Sequence, residues 1–338
     1  MPACHFVPVW YSDTVWLVGG GDYAANVGIQ QEAYQVRIVS VGEILWDVIG
    51  ENEYLGGAPL NFAAHVQKLG HEVYPLSAVG ADQRGQKAIE MLESRGMSTE
   101  FIQVLRDQPT GTAEVELDME GKPTFRIVRP VAYDFVELAD HELTQIAKLK
   151  PAWIYLGTLY HMSRRSLAAT KKLLAAVPEA RRFYDINLRD GHWSLAMVEQ
   201  LCSLTNVIKL SDFEAESLDA SVDASEGPSD SIEDLCRRWT ARFALEAMCV
   251  TLGERGCAIF KDGKFTRASG YHITVADTVG AGDAFSAAFV HGLSQGWDAH
   301  QIAGWANAVG ALVASRSGPI PDWSIAEAHA IMKAQTHR

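Results

Sequence analysis

The residues best suited to chemistry lie in one short run, Asp277-Thr278-Val279-Gly280-Ala281-Gly282-Asp283-Ala284-Phe285. The run ends a strand-like stretch and opens an apolar-periodic helix expected over about 283–295. Gly280 and Gly282 have no side chain to block a close anion. Their amides, with that of Ala281, would aim at one oxygen from the positive end of the helix. Transfer of a phosphoryl group needs such donors, because charge on the moving group must be stabilised in place. A carboxylate at the same helix start, Asp283, is able to take the proton of an attacking hydroxyl. The competing reading is an N-capping aspartate behind a glycine turn, and for a bare G-x-G-D it comes first.

The elements that must position this run alternate between strand and helix. Val36 to Val41 reads as a buried strand ending at Gly42, and further strands are expected at 74–79, 153–156, 183–186, 207–210 and 247–251. Helices are expected from Asn61 to Leu69, at 86–95, and at about 163–177, 194–203 and 231–244. Alternation of this kind predicts an α/β fold, a mainly parallel sheet covered by helices on both faces, with ligands at the carboxyl ends of the strands. One segment breaks the pattern. Runs at 112–119 and 124–128 flank Glu120-Gly121-Lys122-Pro123, which predicts a hairpin standing apart as a small β lid near 108–130. Residues 219–230, rich in Ser, Asp, Ala, Gly and Pro, read as an exposed loop.

Composition removes several function classes. The net charge of -13 argues against a general nucleic-acid binder, which needs a basic stripe. It leaves a phosphate-bearing ligand open, since such sites use local amides and helix ends. Five cysteines with no CxxC spacing argue against a disulfide framework or zinc site and fit a reducing cytoplasm. No apolar run approaches a membrane-spanning length. Residues 1–35 mix aromatics, glycines and polar residues without periodicity and are expected to be a leader outside the fold, with Gly19-Gly20-Gly21 a flexible turn. There is no GxGxxG of the dinucleotide-binding kind and no GxxxxGK[ST], so an anion site has to lie elsewhere, and 280–283 is the candidate.

The nine-residue run closely resembles the C-terminal signature of the ribokinase-like (PfkB) carbohydrate kinases, D-T-x-G-A-G-D-x-F. Gly56-Gly57-Ala58-Pro59-Leu60-Asn61-Phe62-Ala63-Ala64 resembles that family's N-terminal signature, and Gly42-Glu43-Ile44-Leu45-Trp46-Asp47 its opening strand and substrate aspartate. Val79-Gly80-Ala81-Asp82 with Arg84-Gly85, Pro109-Thr110-Gly111-Thr112, Asp185-Ile186-Asn187-Leu188-Arg189 and Thr251-Leu252-Gly253 with Gly256 resemble further family segments, in family order over about 36–338. The variants shade toward the fructokinase-like branch.

The resemblance implies a three-layer ribokinase-like sandwich with a β lid, spanning 36–338, that phosphorylates a hydroxyl of a small sugar from ATP. It implies Asp283 as base and Gly280, Ala281 and Gly282 as anion hole, with Asp47, Gly57 and Asn61 on the acceptor's hydroxyls. Arg189 would reach a phosphate or an acidic substrate. Lys209, Ser211, Thr251, Gly253, Gly256 and Asn307 would lie along the nucleotide. Glu214 would order Mg2+ through water, and Asp277, Val279 and Gly318 would hold a monovalent cation such as K+. Paired lids imply a homodimer. For Asn61 a helix N-cap competes, for Arg189 a surface salt bridge, and for Asn307 a packing amide. Where the family commonly has N-x-x-E, this chain has Ser211-Asp212-Phe213-Glu214, which puts the phosphate contacts there in question. Other readings are a nucleoside or 2-keto-3-deoxygluconate kinase and a catalytically silent binding relative.

Overall fold

Along β1 (Arg37–Val41) successive side chains point to opposite faces, as the pleat requires, and both faces are buried. Ile38 belongs to one hydrophobic layer and Val39 to the other. The computed structural model describes residues 34–117, 123–222, 229 and 231–335. The expected leader thus lies almost wholly outside the described residues, as do Cys4 and the tip of the expected hairpin.

After β1 the chain forms β2 (Leu45–Ile49), β3 (Asn52–Gly56), α1 (Ala58–Lys68), β4 (Glu72–Gly80), α2 (Gln83–Ser94) and β5 (Phe101–Leu105). Next come β6 (Gly111–Leu117), β7 (Pro123–Ile127), α3 (Asp140–Leu149), β8 (Trp153–Gly157), α4 (Arg164–Ala176), β9 (Arg181–Asp185) and α5 (Leu195–Cys202). The last part holds β10 (Val207–Ser211), α6 (Asp212–Val222), α7 (Ile232–Phe243), β11 (Ala247–Thr251), β12 (Cys257–Lys261) and β13 (Lys264–Ala268), then α8 (Ala281–Ser294), α9 (Ala299–Ala314) and α10 (Ile325–Gln335). The main sheet has nine strands in the order β13-β12-β11-β10-β9-β8-β1-β4-β5. All its pairings are parallel except β11 with β12 and β12 with β13. The chain leaves β1 toward β4 and later returns to β8 on β1's other side, so the connections reverse beside β1 and open a crevice at the carboxyl ends. No helix among the described residues is long and apolar enough to cross a membrane.

One core layer contains Phe62, Tyr155, Phe183 and Phe289 under α1, α8 and α9. Phe62 stacks on Tyr155 at 4.3 Å, and Phe183 lies 6.1 Å from Phe62 and 6.0 Å from Phe289. Rings in this arrangement contribute beyond their buried area, and here they set the spacing of α1 and α8 over the sheet. The opposite layer carries Leu156, Tyr184, Ile208 and Trp239. Cys202, Cys236, Cys249 and Cys257 are free and buried.

The lid is larger than the expected hairpin. β6 and β7 pair antiparallel, but β6 also pairs parallel with β2, and β2 antiparallel with β3, giving a sheet of order β3-β2-β6-β7. The β2–β3 turn at Gly50-Glu51 lacks the Asn-Gly or Asp-Gly signal that reveals two-residue hairpins. Asp47 accordingly sits on the lid strand β2 and not on the opening strand, which ends at Val41. The lid is rooted through Asp82. Its carboxylate accepts from Gly85 N at 2.8 Å, Thr110 N at 2.8 Å and Thr110 Oγ1 at 2.6 Å, so the Val79–Gly85 motif joins α2 to the base of β6. Two more expectations change. α1 begins at Ala58, three residues early, because Pro59 fits a first helical turn. Residues 219–222 continue α6 and are not loop.

Phe183→Ala should lower unfolding free energy by about 3–5 kcal/mol, since it empties the centre of the ring stack. Urea denaturation of the two proteins reads this directly.

Candidate active site

α8 starts where the sequence placed the anion hole, two residues ahead of Asp283. Its N-cap is Gly280, at φ 78° with no side-chain cap bond, so Asp283 is not the cap. A side chain at 280 is excluded twice, by that left-handed backbone and by the Pro319 carbonyl, 2.3 Å from where a Cβ would stand. Among the described residues the amides of Gly282 and Asp283 have no backbone acceptor, as the first turn of a helix leaves them. The Ala281 amide differs from the expectation, because it donates to Thr278 O at 3.2 Å.

Asp283 Oδ2 accepts a 2.8 Å hydrogen bond from Asn61 Nδ2. Asn61 therefore lies within α1, on the face toward α8, and is not an N-cap. Its Oδ1 has no partner among the described residues. Burial pushes the Asp283 carboxyl up to about 7, with help from Asp185, and against the Asn61 bond, Lys209 and Arg189. Beneath it, Lys209 Nζ donates to both Asp185 oxygens at 3.0 and 3.1 Å, and Ser286 Oγ donates to Asp185 Oδ2 at 2.7 Å. Burial opposes the Lys209 charge, yet Asp185, Glu214 and Asp283 hold it above the usual lysine range. A Cβ on Gly282 would lie 3.5 Å from Lys209 Nζ, so the ammonium stands directly beside the helix start.

On the side where the acceptor is expected, Gly57 has φ 113° and abuts the Glu43 carbonyl, and Gly56 leaves room for the Asp47 carboxylate. Burial pushes Asp47 up to about 6 and Glu43 up to about 7, and the Arg189 cation lowers both. Arg189 forms no carboxylate ion pair among the described residues. Its Nη1 donates to Asn187 Oδ1 at 2.7 Å, so the competing surface salt bridge is not what the structure has. Glu43 has a buried Oε2 with no partner among the described residues.

On the opposite side, Ser211 and Glu214 form a capping box. Ser211 N and Oγ donate to Glu214 Oε2 at 2.7 and 2.9 Å, and Glu214 N donates back to Ser211 Oγ at 3.2 Å. Serine is thus fully bonded where the family commonly has asparagine. Thr251 Oγ1 donates to Leu210 O at 3.4 Å. Gly253 (φ 59°) faces open space, whereas Gly256 (φ 93°) is required by the Ala268 carbonyl, 2.1 Å from its would-be Cβ. Asn307 Nδ2 donates to Ser269 O at 3.2 Å, the packing arrangement that competed with a nucleotide contact. Asp277 joins two loops, accepting from Val279 N at 3.0 Å and Gly318 N at 2.9 Å, so the three expected cation positions do come together. Among the described residues no three His, Cys, Asp or Glu side chains cluster as a metal site. A triphosphate fits the free amides and the Lys209 ammonium. A divalent ion would depend chiefly on that triphosphate and on water, with Glu214 alongside. Asp185, Ser286 and Glu43 are the residues that sequence reasoning left unassigned. The only signal for Ser286 was its place one turn after Asp283, on the same helix face.

A family model described as pfkB family carbohydrate kinase matches residues 27–326. A fructokinase of Salmonella typhimurium is 28% identical over 271 residues, 76% of this chain and 84% of its own. The crystal structure of a fructokinase with bound ATP from Xylella fastidiosa has a TM-score of 0.77 at 21% identity, covering 89% of this chain and 99% of that one. A fructokinase from Vibrio cholerae O395, solved with fructose, ADP and calcium ion, has a TM-score of 0.73 at 24% identity, over 88% and 99% of the two chains. A double mutant of that Vibrio protein was solved with fructose, ADP and potassium ion. The two structural likenesses establish the ribokinase-like α/β fold.

The two glycines should respond differently. Gly280→Ala meets backbone and a left-handed φ, and should cost at least about 2 kcal/mol, whereas Gly282→Ala should leave thermal stability within about 1 kcal/mol. Asp283 also carries a stability signature. Its folded value, about 7, lies above the ordinary 3.8, so its contribution is complete below 3.8 and is lost as pH rises through 7. Asp283→Asn should therefore melt a few degrees higher than wild type at pH 8, and the difference should shrink toward pH 5 in thermal scans.

Proposed function

The chain belongs to the pfkB family of carbohydrate kinases, and we propose that it transfers the terminal phosphoryl group of ATP to a hydroxyl of fructose or a related hexose. The observation that carries this reading is Asp283, a buried carboxyl with a pKa of about 7, held by Asn61 at the start of a helix where the Gly282 and Asp283 amides have no backbone acceptor. Asp283 takes the proton of the attacking hydroxyl as the oxygen–phosphorus bond forms. The bond from that phosphorus to the bridging oxygen breaks, and ADP leaves with the electron pair. The amides at 280–282, chiefly Gly282, face the charge on the moving group, and Lys209 adds a cation beside them. Mg2+, when bound with the nucleotide, supplies charge neutralisation between the phosphates.

Asp47, Gly57, Asn61 and Arg189 would orient the acceptor. Lys209, Ser211, Thr251, Gly253 and Asn307 would line the nucleotide path, with Gly256 shaping the turn behind it. Glu214 would meet the metal's water shell. Asp277, Val279 and Gly318 would hold a monovalent cation through carbonyls and one carboxylate, a reading supported by the way Asp277 gathers both loops. The lid would exclude water as a competing acceptor, and its outer face would pair with a second copy of the chain. Buried free thiols suit a reducing compartment such as the cytoplasm. The fructokinases among the relatives support a hexose.

An ADP-release assay across fructose, ribose, adenosine and 2-keto-3-deoxygluconate tests the substrate, with the highest kcat/KM expected for fructose. Turnover of adenosine alone would overturn the hexose reading. For fructose, kcat/KM should be flat above pH 7 and fall about tenfold per unit below it, because Asp283 must be ionised. Asp283→Asn should lower kcat by about 10²- to 10⁴-fold while nucleotide affinity is kept.

A further inference from the structure

One carboxylate joins the two sides of the site. The capping box of α6 needs a single oxygen of Glu214, and Oε2 supplies it to Ser211. The other oxygen, Oε1, leaves the helix altogether and accepts from Leu188 N at 2.6 Å, at the end of the neighbouring strand β9. The peptide it holds is an unusual one. Asn187 has φ 42°, a region that residues other than glycine seldom occupy. From there Arg189 folds back, so that its Nη1 reaches Asn187 Oδ1 at 2.7 Å and Leu188 O at 3.3 Å. The 187–189 turn thus braces itself internally, and Glu214 is its bond to the start of α6. The Arg189 charge acts against the burial that raises Glu43, Asp47 and Asp283, which supports reading the guanidinium on the acceptor side.

We propose that Glu214 is a positioning residue for the sugar, acting from the nucleotide side: by binding the Leu188 amide it holds Arg189 where the acceptor is recognised. This rests on the reading of 43–61 and Arg189 as the acceptor side. It goes beyond a role for Glu214 at the metal, because it predicts an effect on sugar binding when neither metal nor nucleotide is present. It also accounts for the short Oε1 bond, which a helix cap does not require. A carboxylate bound at both ends also leaves little freedom to a nucleotide-side ligand. Any ligand that pulls Glu214 pulls the arginine turn with it, so the two substrates would influence each other's affinity through this bond.

The test is fructose binding by titration calorimetry to the full chain, with no nucleotide and with divalent metal chelated, in wild type, Glu214→Ala, Arg189→Ala and the double variant. Circular dichroism and thermal melting confirm that each is folded. Glu214→Ala is expected to weaken fructose binding about tenfold, the size of a charged hydrogen bond's effect. The double variant is expected to bind no more weakly than Arg189→Ala alone, because both changes remove the same contact. If Glu214→Ala does not fold, Glu214→Gln replaces it, keeping the volume while removing the charge, and about threefold weakening is expected. Wild-type affinity in the Glu214 variant, or fully additive losses in the double variant, would overturn the proposal and leave the kinase reading intact. Failure of the wild type to phosphorylate any sugar would overturn the kinase reading instead.

Discussion

A buried ammonium and two carboxylates share one space at the carboxyl ends of β9 and β10, and the site is arranged around keeping them there. Lys209 and Asp185 neutralise each other, and Ser286 supplies Asp185 with a third donor. Removing one member of such a pair leaves an unmatched charge and costs several kcal/mol, so the pair fixes strand ends and helix start together. Asp283 is the charge left over. With water excluded and Asp185 repelling it, its ionisation is displaced to about pH 7, the range that suits the base role proposed for it. Burial and the local charge balance together set the ionisation of Asp283.

The scaffold holds this space open by close backbone approach. Gly280 lies against Pro319, and Gly57 against Glu43. His65, on α1, bonds the Pro319 carbonyl at 3.0 Å through Nε2 and accepts from Trp323 Nε1 at 3.1 Å through Nδ1. The helix that carries Asn61 therefore also steadies the loop that packs on the glycine turn. Separation of α1 from α8 would disturb the Asn61–Asp283 bond and the Gly280 contact at once, so the Phe62, Tyr155, Phe183 and Phe289 stack bears on chemistry as well as on stability.

Most of the layered fold is legible in the sequence because buried parallel strands write themselves as apolar runs ended by glycine. The Asp277–Phe285 run also places the helix start within a few residues. What is not legible follows from contacts distant in sequence. Asp185 and Lys209 are 24 residues apart and Asn61 and Asp283 are 222 apart, and no local pattern reports either meeting. β2 and β3 are hidden because a partly exposed lid strand carries mixed residues, so Asp47 reads as the end of an opening strand and not as part of the lid. Ser211 reads as a defect until its capping bonds to Glu214 are known. Asn307 and Gly256 are expected along the nucleotide from resemblance, and the contacts visible for each are with the protein itself.

Asp47 lies on β2, paired to β3 on one edge and to β6 on the other, so it is part of the sheet that covers the crevice. On the proposed reading, recognition and enclosure would therefore belong to one sheet. An acceptor lacking a hydroxyl for Asp47 would lose a contact and also part of the force that seats the cover. Water, which offers Asp47 no properly spaced partner hydroxyl, would be handicapped in the same way. Selection against idle hydrolysis of the nucleotide would thereby lie in the connectivity of a four-stranded sheet, ahead of any chemical step.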